Sequence, residues 1–184
     1  MRATKLQEKF DFDIQVRHFP LHPETPAEGR TLEELFAGRN IDVAASQERL
    51  FKTMQDEGLP YSKRTMTYNS RLAQELAKWA ESQPDGEKIH RALFEAYFVD
   101  RADIAELDEL LKVVRKVGLS EDDAKKVLES REFGLSVDLD WKRCQRLQLS
   151  SVPVFAINGR GVMGAQPVEV LEQLLQESSV EEKK

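Results

Sequence analysis

The sequence predicts an α/β protein in which a small sheet is interrupted by a large helical block. Three observations carry this. Apolar residues alternate with polar ones near the N-terminus, and form a short apolar run near the C-terminus, as strands do. Between these stretches they recur at helical spacing from about residue 31 to 147. Late in the chain, Asn158-Gly159-Arg160-Gly161 has the turn chemistry of a hairpin. Strand regions flanking a helical block point to one sheet with an inserted helical subdomain.

Composition narrows the function classes. The 184 residues are 33% charged and 40% hydrophobic, which suits a folded, soluble domain. The net charge is −6 and the pI near 5.3, with no clustered Lys and Arg, against a nucleic-acid or anionic-membrane partner. No apolar run approaches the roughly 20 residues that span a bilayer. The first ten residues lack the apolar stretch of a secretory signal, so a cytoplasmic address is expected. Cys144 is the only cysteine, which excludes an internal disulfide, a thiolate zinc cluster and a Cys-x-x-Cys pair within these residues. No histidine pair has metal-ligand spacing, and no metal is expected.

Taken in order, residues 2 to 10 read as a short helix with Ala3, Leu6 and Phe10 on one face. Phe12, Ile14 and Val16 alternate with polar residues and predict a strand over 12 to 19. Pro20, Pro23, Pro26 and Gly29 make a loop. Thr31 and Glu34 form a capping box for a short helix through Phe36. Asp42 caps a second helix, with Leu50, Phe51 and Met54 on one face and Gly58 as its stop. Asn69 caps a third, lined by Leu72, Leu76 and Trp79. Ile89, Ala92, Leu93, Ala96 and Tyr97, widened by Phe94 and Phe98, predict a helix central to the block. Leu107 to Val117 gives another, Ser120 with Asp123 opens a short one, and Glu132 to Leu147 a last one. Residues 152 to 157 are a short strand, and 162 to 164 its return. Pro167 stands at the first position of a final helix through Leu175, and residues 179 to 184 read as a frayed tail. The expected organisation is thus a sheet part at 1–30, a helical insertion with its return helix at 31–148, and a second sheet part at 149–178.

Ser151-Val152-Pro153-Val154-Phe155-Ala156-Ile157 resembles the Val–cis-Pro strand of thioredoxin-fold proteins, with Pro153 expected in cis. Val162-Met163-Gly164-Ala165-Gln166-Pro167 resembles the Gly-Ala-Gln motif of the FrnE-like branch of the DsbA family. Phe19 to Glu24, Asn69-Ser70, Leu93 to Phe98 and Asp103-Ile104 resemble that branch's loop and inserted helices. The likeness runs in register over roughly residues 3 to 176. It implies a DsbA-type thioredoxin sheet with a large inserted all-helical subdomain, in proteins that exchange disulfides with cysteine-containing proteins or peptides. It also implies a first strand and a Cys-x-x-Cys ahead of the first helix, where the helix dipole stabilises a thiolate. This sequence opens inside that helix, so both are expected to be absent from it, at a cost of roughly 1–3 kcal/mol per buried backbone group left unpaired.

Within the resemblance, Val152 and Pro153 are the expected substrate-binding edge, pairing with an extended peptide as an added strand. Gly164, Ala165 and Gln166 either touch a ligand or form a tight strand-to-helix junction. His22 sits in the proline-rich loop as a candidate acid–base group; His90 reads as a surface residue, and His18 as partly buried beside Val16. Cys144 reads as a small buried apolar residue on the Val137–Trp141 face, with a redox thiol as the alternative. No catalytic residue is expected within these 184 residues. Three functions follow. The first is a DsbA/FrnE-like thiol–disulfide oxidoreductase, inactive in dithiol exchange as this chain. The second is a glutathione-dependent isomerase or transferase of the kappa-like group, the one reading with a cofactor, glutathione. The third is a non-catalytic peptide-binding or chaperone-like protein, whose unpaired strands would favour a homodimer.

Overall fold

The computed structural model describes residues 2–183; Met1, Lys184 and the side chain of Ala3 lie outside the described residues. The chain divides into two compact units, residues 1–21 with 140–184, and residues 22–139. The sequence pattern put these divisions after residues 30 and 148. No helix among the described residues is long and apolar enough to cross a membrane.

The first unit is built on helix α1 (Arg2–Leu6), the hairpin strands β3 (Val154–Ile157) and β4 (Arg160–Met163), and helix α9 (Val168–Glu177). Asn158 and Gly159 both have positive φ, the two-residue turn their chemistry selects, and the strands pair Val154 with Met163 through Ile157 with Arg160. Alternation sends Phe155, Ile157 and Val162 against a core of Leu6, Phe10, Leu171 and Leu175. Residues 179–183 are not frayed as expected: Phe10 bridges Glu182, and Lys183 N–H donates to Lys9 O at 2.8 Å. Pro167 caps α9 one position before its first turn, because its ψ of 156° is extended.

The strand expected at 12–19 does not form. A strand needs a ladder partner, and residues 12–19 find none among the described residues, leaving Ile14 and Val16 exposed. Its far end is instead fixed by side chains of helix α8 (Gly134–Arg146). His18 N–H donates to Asp140 Oδ2 at 3.0 Å, and the Cys144 thiol donates to His18 O at 3.6 Å.

The second unit is helical, with the two-residue strands β1 (Arg30–Thr31) and β2 (Met66–Thr67) pairing antiparallel at its edge. Its helices are α2 (Leu32–Leu35), α3 (Val43–Asp56), α4 (Arg71–Ala80), α5 (Lys88–Phe98), α6 (Leu107–Lys116) and α7 (Glu121–Glu129). The caps follow the sequence: Thr31 and Glu34 close a full capping box, Asp42 accepts from Ala45 N–H, and Ser120 from Asp123 N–H. Asn69 is not the cap of α4 as expected: the N-cap is Ser70, while Asn69 Oδ1 accepts from Arg71 N–H at 2.9 Å and its Nδ2 donates to Thr25 O at 2.7 Å.

The most buried helix is α4, not α5, which the sequence put at the centre. It packs against α5, α6 and α7, and buries Ala73, Leu76, Ala77, Trp79 and Ala80. In α5 the inner face is narrower than its sequence suggested. Phe94 is exposed and lies alongside Phe98, ring centroids 6.2 Å apart, because the two share an outer i, i+4 row. Nor does α3 bury its Leu50, Phe51 and Met54 face; the helix is tied down by polar bonds from Tyr61 and Arg64 to Gln47.

Candidate substrate-binding edge

Five of the six candidate residues lie in the first unit. The Val152–Pro153 peptide is cis, and both residues are exposed. Pro153 O accepts from Gly164 N–H at 2.8 Å, which extends the hairpin register by one pair. Hydrogen-bonded pairs alternate in an antiparallel ladder, so Phe155 and Ile157 bond to β4, while Val154 and Ala156 turn their N–H and C=O groups away from it. Among the described residues no other strand pairs with β3, and the Val152 backbone has no partner. The result is an open row of backbone donors and acceptors over Val152, Val154 and Ala156. Such a row can take an extended peptide as a further strand.

Gly164, Ala165 and Gln166 form a tight junction beside this row. Gly164 has φ of 87°, Gln166 N–H donates to Gly164 O at 2.9 Å, and Gln166 Nε2 donates to Met163 O at 2.6 Å. The Gln166 amide is thus engaged with its own backbone. From α1, Arg2 Nη1 donates to Ala165 O at 2.8 Å and Gln166 O at 2.7 Å, locking the junction. Sequence reasoning missed Arg2, since nothing local ties it to carbonyls more than 160 positions away. Asp140 was also missed, although its place among Val137, Trp141 and Cys144 on one face of α8 was a readable signal of a buried carboxylate.

Cys144 is buried, and burial pushes its thiol pKa up, with the Asp140 charge adding to this. It is therefore a protonated thiol, the opposite of an activated thiolate. His22 belongs to the second unit. Its Nδ1 lies 3.8 Å from Glu24 Oε1, and its pKa is lowered by burial, opposed by Glu24 and reinforced by Arg39, Arg30 and Arg64. His90, read as a surface residue, is half-buried, with Nε2 3.4 Å from Glu81 Oε1.

A β-hairpin backed by two helices, with a mostly helical unit inserted between them in sequence that also carries the β1–β2 pair, fits a thioredoxin-like fold of the DsbA type, α/β and mostly helical. The model of the DSBA-like thioredoxin domain matches residues 1–176, and the chain belongs to that family. Solved structures share the fold, two of them as follows. One is a Streptomyces coelicolor protein assigned as a DsbA oxidoreductase, with a TM-score of 0.80 and 24% identity over 88% of this chain and 73% of the other. The second is a Nitrosomonas europaea protein assigned as a protein disulfide isomerase, with a TM-score of 0.64 and 18% identity over 83% and 77%. No curated protein matches the chain.

Proposed function

We propose that these residues form the substrate-holding frame of a thiol–disulfide oxidoreductase of the FrnE-like branch, and that the exposed Val152–Pro153 segment binds cysteine-containing proteins or peptides in extended form through the Val152 backbone. The observation that carries this reading is the open backbone row of β3 beside Pro153, in a chain of the DsbA-like family. Dithiol exchange consumes one thiolate to attack a disulfide and a second to resolve the mixed disulfide. The 184 residues hold only Cys144, which is buried and protonated, so they carry no exchange by themselves. The dithiol would have to come from outside them. The same open row favours a second reading, a non-catalytic peptide-binding protein.

An insulin-reduction assay with dithiothreitol separates the chemistry from the binding. The expected rate with these 184 residues equals the rate without protein, and Cys144→Ala leaves it unchanged. Turnover above that background, abolished by Cys144→Ala, would overturn the reading.

A further inference from the structure

The helical unit contains a cavity of about 100 Å³, lined by Arg64, Thr65, Met66, Tyr68, Tyr97 and Arg101, which the peptide edge does not use. Arg64 is held rigidly there. Its Nη1 donates to Met66 O and to the Tyr97 hydroxyl, both at 2.8 Å, and its guanidinium carbon lies 4.7 Å from the Tyr97 ring centroid. The Tyr97 hydroxyl is in turn 3.0 Å from Thr67 Oγ1. The Arg64 Nε–H is buried and has no acceptor among the described residues.

The lining of this cavity is not charge-matched. Acidic residues outnumber basic ones, 33 to 27, and several arginines of the unit are neutralised: Arg71 and Arg131 by Glu75, Arg115 by Glu121, Arg91 by Glu95. Among the described residues no carboxylate lies within 4.0 Å of Arg64 or Arg101. Burial, with Asp103 adding to it, raises the Tyr68 hydroxyl pKa, and Asp103 Oδ1 is engaged by Ala105 N–H at 2.9 Å. Burial lowers the His22 pKa against the opposing charge of Glu24, and Arg39, Arg30 and Arg64 add to the effect of burial. A structural role tying β2 to α5 accounts for the two Nη1 bonds. It does not account for a buried Nε–H without an acceptor, beside a second arginine, Arg101, that lines the same cavity with no carboxylate within 4.0 Å.

We infer that this cavity binds a small oxyanion, the carboxylate or phosphate group of a ligand, between the Arg64 and Arg101 guanidiniums with the Tyr68 hydroxyl beside them. The volume fits a group of a few heavy atoms rather than a drug-sized molecule, which takes roughly 300–1,000 Å³. Arginine's planar donor fork matches both oxyanions. The inference is independent of the peptide edge, none of whose residues line the cavity.

The test is a titration of the ¹⁵N-labelled chain with sodium phosphate and, separately, sodium acetate at ionic strength fixed with chloride. The expected result is a saturable shift of the Arg64 Nε–H signal and of the lining amides with at least one oxyanion, and none with chloride. Arg101→Asn should weaken that binding about tenfold or more, the effect of losing one charge-assisted contact. Asparagine tolerates the positive φ of 60° at this exposed position, so the variant should keep the wild-type spectrum elsewhere. Tighter phosphate binding identifies a phosphorylated ligand, and tighter acetate binding a carboxylate. No saturable shift with either anion, equal shifts with chloride, or unchanged affinity in Arg101→Asn would each overturn the inference.

Discussion

Glu75 shows how one residue can hold the helical unit together. It is 1% exposed, and its Oε1 accepts from Arg71 Nε at 2.6 Å and Arg131 Nη2 at 2.7 Å, while Oε2 accepts from Arg131 Nε at 2.7 Å. Burial alone would raise its pKa, but the Arg131 and Arg71 hydrogen bonds more than offset this and hold it below the usual carboxylate range. Removing one partner of a buried cluster strands the others, so Glu75→Gln should cost about 3–5 kcal/mol in urea unfolding. A carboxyl whose pKa is lower folded than unfolded stabilises above its unfolded value near 4.3, and that stability is lost as pH falls below it. Acidification from pH 5 toward 3 should therefore weaken the wild type, and Glu75→Gln should flatten part of the slope. Cys144 gives a second expectation. Iodoacetamide should label it about tenfold or more slower in the native protein than in urea, because burial keeps the thiol protonated. Cys144 was legible as buried from the apolar residues on its helix face. The Glu75 cluster was not, since Arg131 lies 56 residues away and no local spacing links them.

Among elements, the helix caps carry the sequence's clearest information. A cap bond spans three residues, so Thr31, Asp42 and Ser120 could be read from their neighbours alone. Ser120→Ala should lower stability by about 1 kcal/mol, measured by denaturant midpoint, because Asp123 N–H then loses its acceptor. Gly86 was not singled out, yet a Cβ there would lie 1.6 Å from Ala80 O. Gly86→Ala must displace the backbone between α4 and α5 and should cost more than about 2 kcal/mol. Strands behave differently. The alternation at 12–19 described residues able to form a strand, but pairing is a property of two segments, and here the second is missing among the described residues. Conversely β1 and β2 have two residues each, too few for any periodicity.

At the scale of the whole molecule, the family and the fold class rested on motifs spread in register from the first helix to Gln166, and the family match over residues 1–176 agrees with them. Helix order was readable because amphipathic spacing is local; which helix is most buried was not, since the burial of α4 comes from α5, α6 and α7 packing around it. The peptide edge belongs to this scale, being the open edge of β3, whose other edge pairs with β4 in a hairpin that packs one face on α1 and α9. It is also where a second copy of the chain could pair, so sedimentation as a function of concentration should accompany any binding measurement.

The most direct test of the account is an amide titration of the ¹⁵N-labelled chain with an unfolded, cysteine-containing peptide. The account expects saturable shifts centred on Val152 and the flanking amides of Ser151 and Val154, with Gly161 and Met163 of β4 little affected. Absence of saturable shifts at these three residues, at peptide concentrations up to about 1 mM where weak binding at only ~4 kcal/mol would register, would contradict it.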